Sequence, residues 1–324
     1  SRSMTSTIWL FAVGWNFPRI SPTTPTRGFN PSPASGSVHD FSQGAVEYTV
    51  TSEDGQWTRT YLVSIKKMIE FGSAHDFDFE HCHLDKGFYV WTEPWQDQDG
   101  QVTQEPLWAT GNPGYKISNS STAPENYPTA PTDAGHEGKG VRLMTCRTSG
   151  LADMVQKPIA AGNLFIGQFD PSDALRDAMS ATKFGRPFSF DTPPKVFTGW
   201  YKYKAGPQFT DRFMNVLEQR DYATIYAVLY DNHNAKGEAI CLYGDNVQTS
   251  DRVVALARLD NIGDTPEWTP FTLNFIYRKA VDAQKLRTGG YSLAIVCSSS
   301  TSGAEFMGAV GSTLWVDQFR VVCE

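Results

Sequence analysis

Thr269-Pro-Phe-Thr-Leu-Asn-Phe-Ile-Tyr277 reads as a β-strand. Thr269, Phe271, Leu273, Phe275 and Tyr277 occupy one side of a two-residue repeat, with Pro270, Thr272, Asn274 and Ile276 on the other. In an extended chain that repeat buries one face and leaves the other to water. The same period recurs upstream and downstream. Val196 to Lys204 sets Phe197, Tyr201 and Tyr203 against Trp200, Lys202 and Lys204. Thr224 to Asp231 sets Ile225, Ala227 and Leu229 against Tyr226, Val228 and Tyr230. Leu293 to Cys297 is apolar on both faces, as a central strand of a two-layer fold must be. Leu314 to Val322 is expected to close the sheet. Helix signals are scarce. The fair one is Asp170 as N-cap with Pro171 at the first helical position, leading into Ala174 to Ala181. Many strands with little helix predict an all-β chain whose residues 68–324 form a jelly-roll β-sandwich.

Residues 1–67 read as a smaller all-β unit. Thr23 to Ser37 is rich in Pro, Thr and Ser and is expected to be turn and loop. Val46, Tyr48 and Val50 then alternate with polar residues, and after Glu53-Asp54-Gly55 so do Tyr61, Val63 and Ile65. That is a hairpin with one apolar face. A lone hairpin is marginal in water, so strands before it must complete a layer. An immunoglobulin-like β-sandwich ending at Lys66-Lys67 fits.

Composition narrows the function. A length of 324 residues suggests roughly two domains. The net charge of −7 argues against a sequence-independent nucleic-acid grip, which needs a basic surface. The five cysteines, Cys82, Cys146, Cys241, Cys297 and Cys323, are widely spaced and odd in number, so at least three free thiols are expected. Ile8 to Val13 is far too short an apolar run to span a membrane and lacks a following Ala-x-Ala cleavage pattern. There is no G-x-S-x-G elbow and no nucleotide-binding glycine pattern. His81-Cys82-His83 could place two imidazoles on one side of a strand, but no further ligand stands at a usual spacing, and a solvated loop is the expectation. Neither a cofactor nor a metal is predicted.

One segment suits a ligand. Trp108-Ala-Thr-Gly-Asn-Pro-Gly-Tyr115 brings an indole, a hydroxyl, an amide and a phenol around a glycine- and proline-containing turn. Aromatic faces match the C–H face of a sugar, and amides both donate to and accept from its hydroxyls. The plainer reading is a turn whose aromatics fill the core. Trp108, Thr110, Asn112 and Tyr115 are expected to share a concave surface with Asn163, Lys202 and Asp231. Lys202 is preferred to Tyr201 because Tyr201 shares the face of Phe197 and Tyr203. Glycoside hydrolysis would need two facing carboxylates. Asp231, Glu238, Asp245, Glu305 and Asp317 are the candidates, Asp231 and Glu305 foremost.

Six stretches in order carry a resemblance. They are Trp108 to Tyr115, Ala160-Ala-Gly-Asn-Leu-Phe-Ile-Gly167, Phe184-Gly-Arg-Pro-Phe188, Gly199-Trp-Tyr-Lys-Tyr-Lys204, Ile225-Tyr-Ala-Val-Leu-Tyr-Asp231 and Gly308-Ala-Val-Gly-Ser-Thr-Leu-Trp-Val-Asp317. Phe77-Asp-Phe-Glu80 and Trp91 precede them. Together they resemble the putative carbohydrate metabolism domain of Bacteroidetes proteins. The hairpin ending at Trp57 is similar to the immunoglobulin-like domain that often precedes it. The resemblance implies an exported, lipid-anchored protein of a glycan-handling system, its anchor outside these residues, with an oligosaccharide or polysaccharide as partner. It supplies no catalytic residue. The readings are a glycan-binding protein with a pocket on the jelly roll, a glycoside hydrolase using two acids of that pocket, and a surface module without ligand.

Overall fold

The computed structural model describes residues 6–11, 29–33, 45–66, 69–96, 102–172, 178–244 and 246–323. The chain is all-β and divides into two compact units, residues 1–68 with 234–239, and residues 69–233 with 240–324. Among the described residues no helix is long and apolar enough to cross a membrane.

In the first unit the described strands form one sheet, ordered Ser6–Phe11, Thr58–Lys66, Val46–Ser52, Phe29–Ser32. The expected hairpin is present, with Tyr48 opposite Tyr61. Ser52 closes its turn: its N–H donates to the Trp57 carbonyl at 2.8 Å, and its Oγ accepts from the Trp57 N–H at 3.0 Å. Ser6–Phe11 adds in parallel to Thr58–Lys66. Within the segment read as loop, Phe29–Ser32 is a strand instead, because it pairs with Val46–Ser52. The rest of that segment to residue 28, and residues 34–37, lie outside the described residues.

The second unit is a two-layer sandwich. Its six-stranded sheet runs Thr129–Thr132, Gly140–Met144, Thr313–Val322, Val196–Lys204, Thr265–Asn274, with Ala74–Phe77 also on Thr313–Val322. The strand read as closing the sheet is therefore internal, paired on both sides. The ten-stranded sheet has Asn163–Phe169, Tyr291–Ser298, Ala223–Asp231 and Val253–Ile262 at its centre. The two inner faces meet in one core. Phe197, Phe271 and Phe319 of the smaller sheet touch edge to face, with ring centroids 5.1–5.6 Å apart, and pack with Ile225, Ala227, Leu293 and Ile295 of the larger.

The opening stretch does more than form one strand. Thr265–Asn274 pairs with Val196–Lys204 in the smaller sheet. At Phe275 the ladder breaks: its N–H donates to the Lys195 carbonyl at 2.8 Å and its ring is buried. Ile276–Tyr277 then pairs with Val253–Ile262 of the larger sheet. The chain thus passes from one layer to the other, with Phe275 as the anchor.

Helix occurs where it was not expected. Asn112–Ser118 is a helix, with Gly111 at its N-cap and Pro113 in its first turn. Proline there forfeits no bond, since the first N–H groups of a helix are unpaired in any case. Short helices also form at Leu151–Met154 and Ala283–Arg287. Of the helix expected from Asp170 to Ala181, the described residues show Ala178–Ala181 as helical, and residues 173–177 lie outside them. Asp170 instead holds a turn, accepting from the Ser172 N–H at 3.1 Å. Cys82–Asp85 is a strand paired with Phe88–Trp91, so the His81-Cys82-His83 run borders a hairpin rather than a loop.

Candidate functional site

The larger sheet has apolar side chains on both faces. Ile225, Ala227 and Leu229 point into the core. Tyr226, Val228 and Tyr230 point the other way and form a second cluster with Phe165, Phe184, Val247, Ala294 and Val296. A strand apolar on both sides needs a cover on each. Here the outer cover is incomplete, and a groove of about 490 Å³ remains over Phe165, Tyr226 and Val296. Its walls come from the Asn112–Ser118 helix, the 148–161 segment, the 179–184 segment, Gly244, Val247, Gln248 and Thr249, and the short turn of helix Gly303–Glu305.

The lining joins aromatic carbon to fixed polar groups. Tyr115, Phe165, Phe169, Phe184, Tyr226 and Phe306 supply rings; Asn163, Gln248, Thr224 and Ser298 supply amides and hydroxyls. Asn163 is held firmly. Its Oδ1 accepts from the Gly111 N–H at 2.7 Å, and its own N–H donates to Thr129 Oγ1 at 3.2 Å. A Cβ on Gly111 would stand 3.0 Å from Asn163 Nδ2, so glycine lets the helix start this close to the strand. The Gln248 side-chain oxygen is buried and has no hydrogen-bond partner among the described residues, an acceptor in want of a donor. Lys157 and Arg258 are the charged side chains in the described lining. Arg258 Nε is ion-paired with Asp260, whose Oδ1 also accepts from Thr224 Oγ1 at 3.4 Å.

Ser300, also in the wall, leads to a buried acid. Its Oγ donates to Asp221 Oδ2 at 2.6 Å, which also accepts from the Ala309 N–H at 2.7 Å and from Ser312 Oγ at 2.8 Å. Burial raises the Asp221 carboxyl above its usual range, and these donors partly oppose it. The network fastens loops and presents no carboxylate to the groove.

The expected residues separate. Tyr115 and Asn163 line the groove. Trp108 does not: it is buried in the core, against Phe77 and Phe79 at 5.2 Å, and its Nε1 donates to Glu93 at 2.7 Å. Its remaining surface, with Thr110, borders a separate cavity of about 390 Å³. Asn112 is wholly buried and clasps the Thr129 backbone, donating to its carbonyl at 2.8 Å and accepting from its N–H at 3.1 Å. Of the plainer reading of that motif, a turn with its aromatics in the core, the structure has Trp108 in the core, but the segment is a helix and not a turn. Lys202 lies on the outer face of the other sheet, between Trp268 and Trp315. Asp231 ends its strand in an ion pair with Lys285 at 2.6 Å and accepts from the His233 N–H at 3.0 Å; it does not line the groove.

The remaining acids disperse too. Glu305 is exposed, beside the wall residues Ala304 and Phe306. Glu238 accepts from Asn234 Nδ2 within its own turn at 2.6 Å. Asp317 is buried in the smaller sheet, accepts from the His136 and Glu137 N–H groups, and is pushed up to about 6 by burial. Asp245 lies outside the described residues. No Asp or Glu is among the described residues lining the groove, and no group of three or more metal-ligating side chains occurs among the described residues.

Sequence reasoning missed Phe165, Tyr226, Gln248, Arg258 and Phe306. For Tyr226 a signal existed, since a strand with aromatics opposite its core face implies a second covered surface. Nothing local marks Gln248 or Arg258.

A family model described as Putative carbohydrate metabolism domain matches residues 78–322. Another, described as SGBP, N-terminal, matches residues 14–65. The chain is similar to the crystal structure of a putative glycoside hydrolase from Bacteroides thetaiotaomicron, with 37% identity, 92% of this chain and 84% of that one covered, and a TM-score of 0.71. It is also similar to that of a putative glycoside hydrolase from Bacteroides vulgatus, with 34% identity, 80% of this chain and 100% of that one covered, and a TM-score of 0.68. No curated protein matches the sequence.

Proposed function

We infer the function from the family: the chain belongs to the putative carbohydrate metabolism domain family, and its groove on the larger sheet is a glycan-binding site. One observation carries this reading. Rings and held amides line the same groove, and one of the amides, Gln248, has a buried acceptor without a donor. Sugar hydroxyls are donors of the right kind, and a mostly apolar surface with a few placed polar groups is the usual make-up of a small-molecule site. The reading also takes the protein to be exported and held to a membrane by a segment outside these residues, which fractionation of cells expressing the whole gene product would test.

A glycan-array screen followed by calorimetry on any hit tests the groove. Gln248→Ala should weaken binding roughly tenfold, the equivalent of about one hydrogen bond. Because the Gln248 amide also hydrogen-bonds the Tyr226 side chain, urea unfolding of the variant is measured alongside, and binding is compared under conditions where both proteins are folded. Phe306→Ala should weaken binding as well. A hit whose affinity neither change alters, or an array with no hit, would refute the reading.

Hydrolysis is a second reading, favoured by the description of both solved relatives as putative glycoside hydrolases. Asp221, hydrogen-bonded to the lining residue Ser300, is buried and fully engaged; the acids beside the described lining that solvent reaches include Asp260, ion-paired with Arg258, and Glu305, next to Phe306. Reducing-sugar release that Asp260→Asn and Glu305→Gln both abolish would establish it.

A further inference from the structure

The smaller sheet carries an outer row the groove does not involve. On four adjacent strands it reads Arg142, Trp315, Lys202, Trp268. Arg142 and Lys202 both stand opposite Trp315 in the ladder. The Lys202 ammonium lies 4.8 Å from the Trp268 ring centroid and 5.3 Å from that of Trp315. Trp200 flanks the row, stacked on His136 at 3.7 Å with the rings 15° from parallel, and His136 meets Trp268 edge-on at 6.2 Å. All six side chains are partly exposed.

Among the described residues no ion pair joins a carboxylate to Lys202 or Arg142. Among the described residues Lys202 has indoles as its partners, whereas Lys285 pairs with Asp231 and Arg320 with Asp76. The Arg142 guanidinium donates to the carbonyls of Glu125 and Tyr127 at 2.9 and 2.8 Å. The Lys202 ammonium therefore sits among flat apolar rings, with the Arg142 guanidinium held at the end of the row, on a chain whose net charge is −7. The neighbouring Asp317 carboxylate is buried and already held by three backbone N–H groups. The two indoles stand two strand spacings apart, about 10 Å, a span that a short run of linked sugar rings covers.

We propose that this row is a second carbohydrate site, one that takes a glycan chain bearing carboxylates. The indole faces take the C–H faces of sugar rings, and the Lys202 ammonium takes a carboxylate in a charge-assisted hydrogen bond. The carboxylate approaches from solvent, above the lysine, so the cation–ring contacts need not break. The site is separate from the groove and does not depend on its reading.

Affinity electrophoresis in gels containing polygalacturonate, alginate or hyaluronate, against neutral dextran, tests it. The expected result is retardation by at least one polyuronate and none by dextran. Trp268→Ala should weaken that retention about tenfold, as for loss of an aromatic anchor, and Lys202→Met should reduce both the retention and its salt sensitivity. Gln248→Ala, in the groove, should leave it intact. No retardation in any of the three, equal retardation by dextran, or loss with Gln248→Ala alone would overturn the proposal. So would a Trp268→Ala protein that is less stable to urea yet retained as before, since a row that merely covers the sheet behaves that way. If Trp268→Ala does not fold, Lys202→Met decides alone, because methionine keeps the apolar stem over the rings.

Discussion

Glu93 offers the sharpest test of the packing. It is 7% exposed, and its carboxyl accepts from Trp108 Nε1 at 2.7 Å. Burial pushes it from 4.5 up to about 8; the Trp108 donor opposes this, and nearby Asp78 adds to it. At neutral pH the folded protein therefore keeps Glu93 largely as the neutral acid, whereas the unfolded chain ionises it. The folded state binds more protons between pH 4.5 and 8, so stability falls as pH rises through that window and is level above it. The interval corresponds to a ceiling of about 5 kcal/mol, at roughly 1.4 kcal/mol per pH unit, and local relaxation or water entry lowers it. Glu93→Gln mimics the neutral acid in shape and keeps an oxygen for Trp108, but cannot ionise. Urea unfolding of both proteins at pH 5, 7 and 9 reads the difference directly. The variant should match the parent closely at pH 5 and exceed it by several kcal/mol at pH 9. Stability curves that stay parallel across that range would refute a buried neutral carboxyl beside Trp108.

Two further outcomes follow from the same core and from the thiols. Trp108→Ala should cost about 3–5 kcal/mol, the range for deleting a large buried aromatic, measured by chemical unfolding; a loss below about 1 kcal/mol would show the indole to be peripheral. Thiol titration of denatured, unreduced protein should find all five cysteines free, as the structure has them, and a count of three would reveal a disulfide.

The larger domain was legible from residue periodicity because alternation is a local property. Phe197, Phe271 and Leu293 face the core as their two-residue repeat requires, and Tyr201 packs against it while Lys202 faces out, as their alternation along the strand demanded. The Trp108–Tyr115 motif was legible as a special segment but not in its role. Proline and glycine suit a turn and a helix start equally, and only packing on Asn163 and Thr129 selects the helix.

What the sequence by itself determined is therefore the class of fold, the faces of its strands and the family. What the tertiary structure alone decided is which polar residues meet. Asn163 and Gln248 are 85 residues apart yet line one groove, while Asn112, next to Gly111 in that groove's wall, is sealed in the core. Alternation assigns a side chain to one face of a sheet. It does not say which strands become neighbours, which face another layer covers, or where that cover stops. Those depend on long-range pairing and on the gap left over Phe165 and Tyr226, and no local window of residues contains them.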